Sequence, residues 1–189
     1  KKSLKALKHA EKNGAFVAAF VQKYPDTEDP CKDDMYHVGT VCRIVHLMKL
    51  PDGNHNALLQ AINRVGLDSM EDGPNGLQGH VTAIPESKAP DKDTEMQITT
   101  EMIHERIKRL SSMSDDIPME VMEFIKKMPT GVFFINFLCT NFPFTTEKKA
   151  QLIFEDSDLG RATLLLKLLN FELKLAKMRQ DVEVKTHAD

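Results

Sequence analysis

Hydrophobic and polar residues follow two different patterns along this chain, and the pattern changes near residue 94. Before that point, short apolar runs rich in Val, Ile and Ala are separated by segments rich in Gly, Pro and Asp, which is typical of strands and turns. After it, apolar residues recur every three or four positions, as in amphipathic helices. We therefore predict an α+β fold with a β-rich subdomain at 1–94 and an all-helical subdomain at 95–189.

The first part predicts a small sheet. The run Ala15–Gln22 is apolar except for its polar last residue, which favours a strand buried on both faces. The stretch YHVGTVCRIVHLMKLPDG, residues 36–53, predicts a strand that ends in a Pro-Asp-Gly turn. The remaining pieces are a return strand at His55–Leu67, a Gly-rich loop at Glu71–Gly79 and a further strand at His80–Ser87.

The second part predicts a helical bundle that ends in a long helix. A helix opens near Met96, another follows Pro118, Thr130–Phe142 is apolar nearly all round, and Thr145 can cap the next. Ser157 or Asp158 can cap the last helix. Its apolar residues follow a heptad-like seam: Leu164, Leu168, Phe171, Leu175, Met178 and Val182. This seam favours either packing on the same bundle or a coiled coil with another subunit.

Composition narrows the class of protein. The chain has 189 residues, 41% hydrophobic and 28% charged, with a formal net charge of −3, so no basic surface for nucleic acid is expected. Its three cysteines are widely spaced, which favours a reducing compartment over a disulfide framework. No apolar run approaches the roughly 18 residues of a membrane span. We expect a cytoplasmic protein with no membrane partner.

Candidate catalytic and metal-binding residues are few. His37, Cys42 and His46 lie close in sequence, but strand alternation places His37 and Cys42 on opposite faces. Cys42 and His46 would share a face about 13 Å apart, too far for one metal ion. The sequence HERIK, at 104–108, resembles the zinc motif H-E-x-x-H but has Lys108 in place of the second His. A metal hydrolase built on His104 is therefore a weak alternative. We predict no catalytic residue, metal ligand or cofactor-binding residue in this chain.

Methionine and phenylalanine cluster in the helical part. Methionine adapts to irregular apolar partners, so the cluster favours either ordinary core packing or a surface that binds unfolded chains. The candidate substrate-contact residues are Met113, Met119, Met122, Phe124, Phe133 and Phe134.

Several ordered motifs together resemble the N-terminal domain of bacterial ATP-dependent Lon proteases. They are the strand ending in Gln22-Lys23, the acidic loop with Pro30, Y-x-V-G-T-V-x-x-I at 36–44, K-L-P-D-G at 49–53, and the helical stretch 147–186. The resemblance implies a PUA-like β-subdomain, here lacking its first strands, followed by a helical bundle. It also implies a substrate-recognition and assembly role without catalytic residues.

The same resemblance implies a larger parent protein. That parent would be a hexameric, ATP-dependent serine endopeptidase with a Ser–Lys dyad, with ATP and Mg bound outside this chain. Its partners would be unfolded or degron-bearing proteins, and no nucleic acid is expected. The alternative is a free-standing PUA-like module that binds RNA or a small ligand, which is an analogy from fold alone.

Overall fold

A four-stranded antiparallel sheet and six α-helices form the regular structure of the described residues, which confirms the predicted α+β class. The computed structural model describes residues 2–85, 93–113 and 117–186. It divides the chain into two compact units, Lys1–Pro85 and Glu86–Asp189.

The first unit contains the helix α1 and the whole sheet. Its elements are α1 at Lys2–Asn13, β1 at Val17–Ala19, a short 3-10 helix at Lys32–Asp34, β2 at Val38–Lys49, β3 at His55–Gly73 and β4 at Gly76–Ala83. The second unit is helical. Its elements are α2 at Thr94–Ser111, α3 at Met119–Lys127, α4 at Val132–Asn141, α5 at Thr146–Phe154 and α6 at Asp158–Thr186.

The strands pair in sequence order, β1-β2-β3-β4. The expected strand at Ala15–Gln22 is only three residues long, and the prediction that it is buried on both faces is wrong. Strand β1 pairs with β2 alone at the edge of the sheet, where Ala18 and Ala19 are exposed. An apolar run cannot by itself distinguish a central strand from a short edge strand.

The Gly-rich segment at Glu71–Gly79 connects a hairpin, but the predicted loop is too long, because β3 and β4 pair up to Gly73 and Gly76 with only Pro74 and Asn75 between them. The glycines there permit close approach of backbone. A β-carbon on Gly79 would collide with the carbonyl oxygen of Ser69 on β3, and one on Gly76 would collide with the backbone of α1. Gly76 also has a φ of 105°, which other residues rarely adopt.

The first unit has a small core. Helix α1 packs against β2 and β4, and its buried residue is Ala10. The buried apolar residues of the sheet are Cys42, Val65 and Leu67. At the start of α1, the ammonium of Lys2 lies 2.5 Å from a carboxylate oxygen of each of Asp29 and Asp72. Exposed ion pairs of this kind contribute little stability.

The helical unit holds the large apolar core. Helices α2 and α6 pack along each other, and α3, α4 and α5 complete the bundle. Three helix starts are capped by side-chain oxygens. Asp93 accepts from the backbone N–H groups of Glu95 and Met96, Thr145 accepts from that of Lys148, and Ser157 accepts from that of Gly160.

The long helix α6 packs through a stripe beside the predicted seam. Its buried apolar residues are Ala162, Leu165, Leu169 and Ala176. These positions are offset by one residue, about 100° around a helix, from the start of the seam at Leu164 and Leu168. Seam residues Phe171, Met178 and Val182 are exposed. A coiled coil along the seam stays a prediction.

Candidate functional site

Helices α3 and α4 both expose large apolar side chains. Met119 is 78% exposed, Phe124 55% and Phe133 70%. The ring of Phe124 contacts that of half-buried Phe137, with centroids 5.3 Å apart and planes tilted by 54°. Phe133 and Phe137 are four residues apart on α4 and so share a face. We name Phe124, Phe133 and Phe137 the aromatic patch.

The patch arises because α4 is apolar nearly all round, with the sequence VFFINFLCTN. A helix at the surface of a bundle can bury only one side. Phe134, Ile135 and Leu138 face the core, which leaves Phe133 in solvent. Helix α3 behaves in the same way, since Met122 and Ile125 are buried and Phe124 is exposed.

The structure separates the six predicted contact residues into two groups. Phe124 and Phe133 lie in the aromatic patch, and Met119 is exposed at the start of α3. Phe134 is 0% exposed and Met122 5% exposed, because both belong to the core of the helical unit. Met113 is half-buried and packs against the same core. Met122, Phe134 and Met113 therefore offer little surface to a partner in this structure.

A second apolar surface, which the sequence pattern did not predict, lies on the β2–β3 hairpin. Strand β1 pairs with β2 only at residues 40–42, and β4 pairs with β3 only from Val65 onward. Between these points the hairpin is two-stranded, and it exposes Val45, Met48, Leu58 and Ile62. Alternation of apolar and polar residues could not reveal it, because both faces of this arm carry apolar residues.

The histidines and cysteines of β2 do not form a site. His37 and His46 are exposed, whereas Cys42 is buried. The expectation that Cys42 and His46 share a face is wrong, because the strand register shifts between Ile44 and His46 and reverses the alternation. Among the described residues, no group of three His, Cys, Asp or Glu side chains is arranged to hold a metal ion.

The buried thiols are not activated as nucleophiles. Burial raises the pKa of the Cys139 thiol to about 11, and burial also raises the pKa of the Cys42 thiol. Both thiols therefore remain protonated at neutral pH, and the thiolate is the reactive form.

None of the helices in the described part of the chain is long and apolar enough to span a membrane.

Comparison with known proteins gives a consistent match. The family model described as the ATP-dependent protease La (LON) substrate-binding domain matches residues 1–170. The Lon protease of Parabacteroides distasonis is 29% identical over 189 residues, which is 100% of this chain and 23% of that protein. The Lon protease of Flavobacterium johnsoniae is 28% identical over 188 residues, again with 23% of its length covered. The chain thus spans about a quarter of these relatives.

Two solved structures with the same fold are described as Lon N-terminal domains. The N-terminal domain of the Mycobacterium avium complex Lon protease aligns with a TM-score of 0.57 and 15% identity, covering 83% of this chain and 90% of that one. A Lon N-terminal domain protein from Xanthomonas campestris aligns with a TM-score of 0.52 and 19% identity, covering 87% and 82%. At these identities the likeness supports the fold alone.

Proposed function

We propose, since this chain belongs to the family of substrate-binding domains of the ATP-dependent protease La (LON), that it recognises protein substrates through the aromatic patch and Met119. The proposed role in substrate recognition rests on the membership of this chain in that family. The choice of the aromatic patch as the binding surface rests on the exposure of Phe124 and Phe133.

Apolar capture suits this surface. An unfolded polypeptide exposes the apolar side chains that a folded protein buries. The rings of Phe124 and Phe133 present apolar area to solvent at little conformational cost, since a phenylalanine side chain has only two rotatable bonds. Met119, which is exposed at the start of α3, is flexible enough to adjust to different partners. Such contacts bind weakly and with broad selectivity.

We further propose that the parent protein is a cytoplasmic hexamer that degrades misfolded and regulatory proteins as an ATP-dependent serine endopeptidase. Its ATP, Mg and Ser–Lys dyad would belong to segments outside this chain. Weak binding by each domain would then be multiplied around the ring by effective concentration. We also propose that a PUA-like subdomain precedes the helical subdomain, with the boundary near residue 94, where α2 begins.

A free-standing module for RNA or a small ligand is not favoured. The family match covers residues 1–170 and describes a protease domain. The net charge of −3 also provides no excess of positive charge to bind a phosphate backbone.

The test uses the 189-residue chain and an immobilised, chemically unfolded protein. We expect the chain to be retained more strongly on that matrix than on the same protein in its folded state. The double variant Phe124→Ser with Phe133→Ser should lose most of this retention, while its circular dichroism spectrum stays unchanged. Equal retention on the folded and unfolded matrices would contradict the proposal.

Phe16 provides a matched control, because it is 58% exposed and lies in the other unit. We expect Phe16→Ser to leave retention unchanged. A loss with Phe16→Ser equal to that with the double variant would show that general stickiness, and not the aromatic patch, causes binding. Retention of the double variant at the level of the unmodified chain would place the binding surface elsewhere.

A further inference from the structure

His104 on α2 stacks on Phe134 of α4 inside the helical unit. The two ring centroids are 3.9 Å apart, and the planes differ by only 6°. The Nε2 atom of His104 is buried and has no hydrogen-bond partner among the described residues. Phe134 is fully buried in the core. The sequence singled out His104 as a failed zinc ligand, and neither metal binding nor the aromatic patch accounts for its placement.

We propose that the His104–Phe134 stack is a pH-sensitive clasp that holds α4 against α2 while the imidazole is neutral and releases α4 when the imidazole is protonated. A neutral imidazole can leave Nε2 as a bare lone pair if Nδ1 carries the proton. Protonation places an N–H at Nε2, where no acceptor lies within reach. A buried donor without an acceptor costs about 1–3 kcal/mol, and a buried charge costs more.

Attraction between an imidazolium and the face of Phe134 opposes this release. Cation–π contacts contribute roughly 0.5–2 kcal/mol, which is no larger than the cost of the unpaired donor. Burial lowers the pKa of His104 from its ordinary value of 6.5, because desolvation penalises the charged form. The unpaired donor and the desolvation of the ring both act against the attraction to Phe134.

No charge on a neighbouring helix replaces the missing acceptor. Helix α4 has no charged residue in its sequence. On α2, the residues one turn away, Glu101 and Lys108, are exposed. Several charged groups of the other described helices pair with other side chains: Lys126 with Glu123 on α3, Lys148 of α5 with Glu172 of α6, and Arg161 of α6 with Asn136 and Asp158. Burial is the cause of the lowered pKa of His104.

The sign of the pH effect follows from linkage. The folded state binds the proton of His104 less tightly than the unfolded state, whose imidazole titrates near the ordinary value. The stability that the neutral stack provides is complete above about pH 6.5 and is lost as the pH falls through the folded pKa. One proton can change the equilibrium between closed and open α4 by at most about tenfold per pH unit.

The first experiment measures hydrogen exchange of the α4 backbone amides in the 189-residue chain between about pH 7 and pH 5, corrected for the intrinsic pH dependence of exchange. We expect the protection of residues 132–141 to fall as the pH drops. His104→Phe keeps an aromatic stack but cannot be protonated, so its α4 protection should stay constant. An unchanged α4 protection in the unmodified chain, or the same fall in His104→Phe, would overturn the clasp.

The second experiment uses the unmodified chain, so its main result does not depend on whether His104→Phe folds. The imidazole signals of the chain are titrated by nuclear magnetic resonance, and the pKa of His104 is expected to lie below the ordinary value of 6.5. His80→Gln, at an exposed position, serves as the variant control and should retain the fall in α4 protection. If the pKa of His104 lies at or above the ordinary value, its ring is solvated and the clasp does not exist. Both experiments are independent of substrate binding.

Discussion

The ring of Phe20 lies over the backbone of Gly39 in the space that a β-carbon on Gly39 would occupy. On the same side, the carbonyl oxygen of Ala19 at the end of β1 approaches equally closely. Gly39 has no positive φ, so close approach and not backbone conformation requires glycine here. This explains in physical terms the Gly of the V-G-T-V motif on β2.

We expect Gly39→Ala to destabilise the first unit by about 1–3 kcal/mol, because the added methyl group overpacks a site where backbone cannot yield. Tyrosine fluorescence during urea unfolding can measure this. The chain has no Trp, and Tyr24 and Tyr36 both lie in the first unit.

Gly66→Ala is the matched control for that experiment. A β-carbon there would meet only the carbonyl oxygen of Thr82, at an ordinary 3.9 Å. We expect Gly66→Ala to be neutral or to stabilise the unit by about 0.4–1 kcal/mol through the unfolded state. Equal losses for the two variants would mean that strand flexibility, and not the contact with Phe20, sets the requirement at Gly39.

Phe133 and Phe134 are adjacent in sequence, but Phe133 is exposed and Phe134 is buried. Alanine substitution should therefore change the free energy of unfolding by very different amounts at the two positions. Phe134→Ala should destabilise the helical unit by about 3–5 kcal/mol, because it leaves a cavity in the core. Phe133→Ala should change the free energy of unfolding by no more than about 0.5 kcal/mol. Far-UV circular dichroism during urea unfolding measures both. Similar losses from the two substitutions would show that Phe133 is buried in solution.

The cap of α2 should stabilise its first turn. Asp93 accepts hydrogen bonds from the backbone N–H groups of Glu95 at 2.9 Å and Met96 at 3.2 Å. Asp93→Ala should cost about 0.5–2 kcal/mol, while Asp93→Asn, which retains a side-chain acceptor, should cost less. The urea midpoint monitored by circular dichroism distinguishes these values. A loss that is equal for Ala and Asn would assign the effect to the negative charge near the helix dipole.

The distal part of α6 should contribute little to the stability of a monomer. Met178 and Val182 are largely exposed, and the last buried apolar residue of the helix is Ala176. We expect the double variant Met178→Ser with Val182→Ser to shift the free energy of unfolding by less than about 1 kcal/mol at any protein concentration. A larger loss that grows with protein concentration would instead show that the heptad-like seam is buried between two copies.

Much of this architecture follows from sequence because local signals agree with one another there. The apolar period changes from that of strands to that of helices near residue 94. Thr145 caps α5 as predicted, and Ser157, one of the two predicted candidates, caps α6. The motifs around Gly39 and Pro51 indicated the family that the match over residues 1–170 then established. These features depend on neighbouring residues in the chain, so sequence alone determined them.

Tertiary structure decided which side of each element meets solvent. Helix α4 is apolar nearly all round, and only its place against the bundle separates buried Phe134 from exposed Phe133. The register shift at Ile44 and His46 reversed the faces that strict alternation assigned. The stacking of His104 on Phe134 joins two helices that are distant in sequence. Burial is a property of the packed fold, which no local pattern of residues contains.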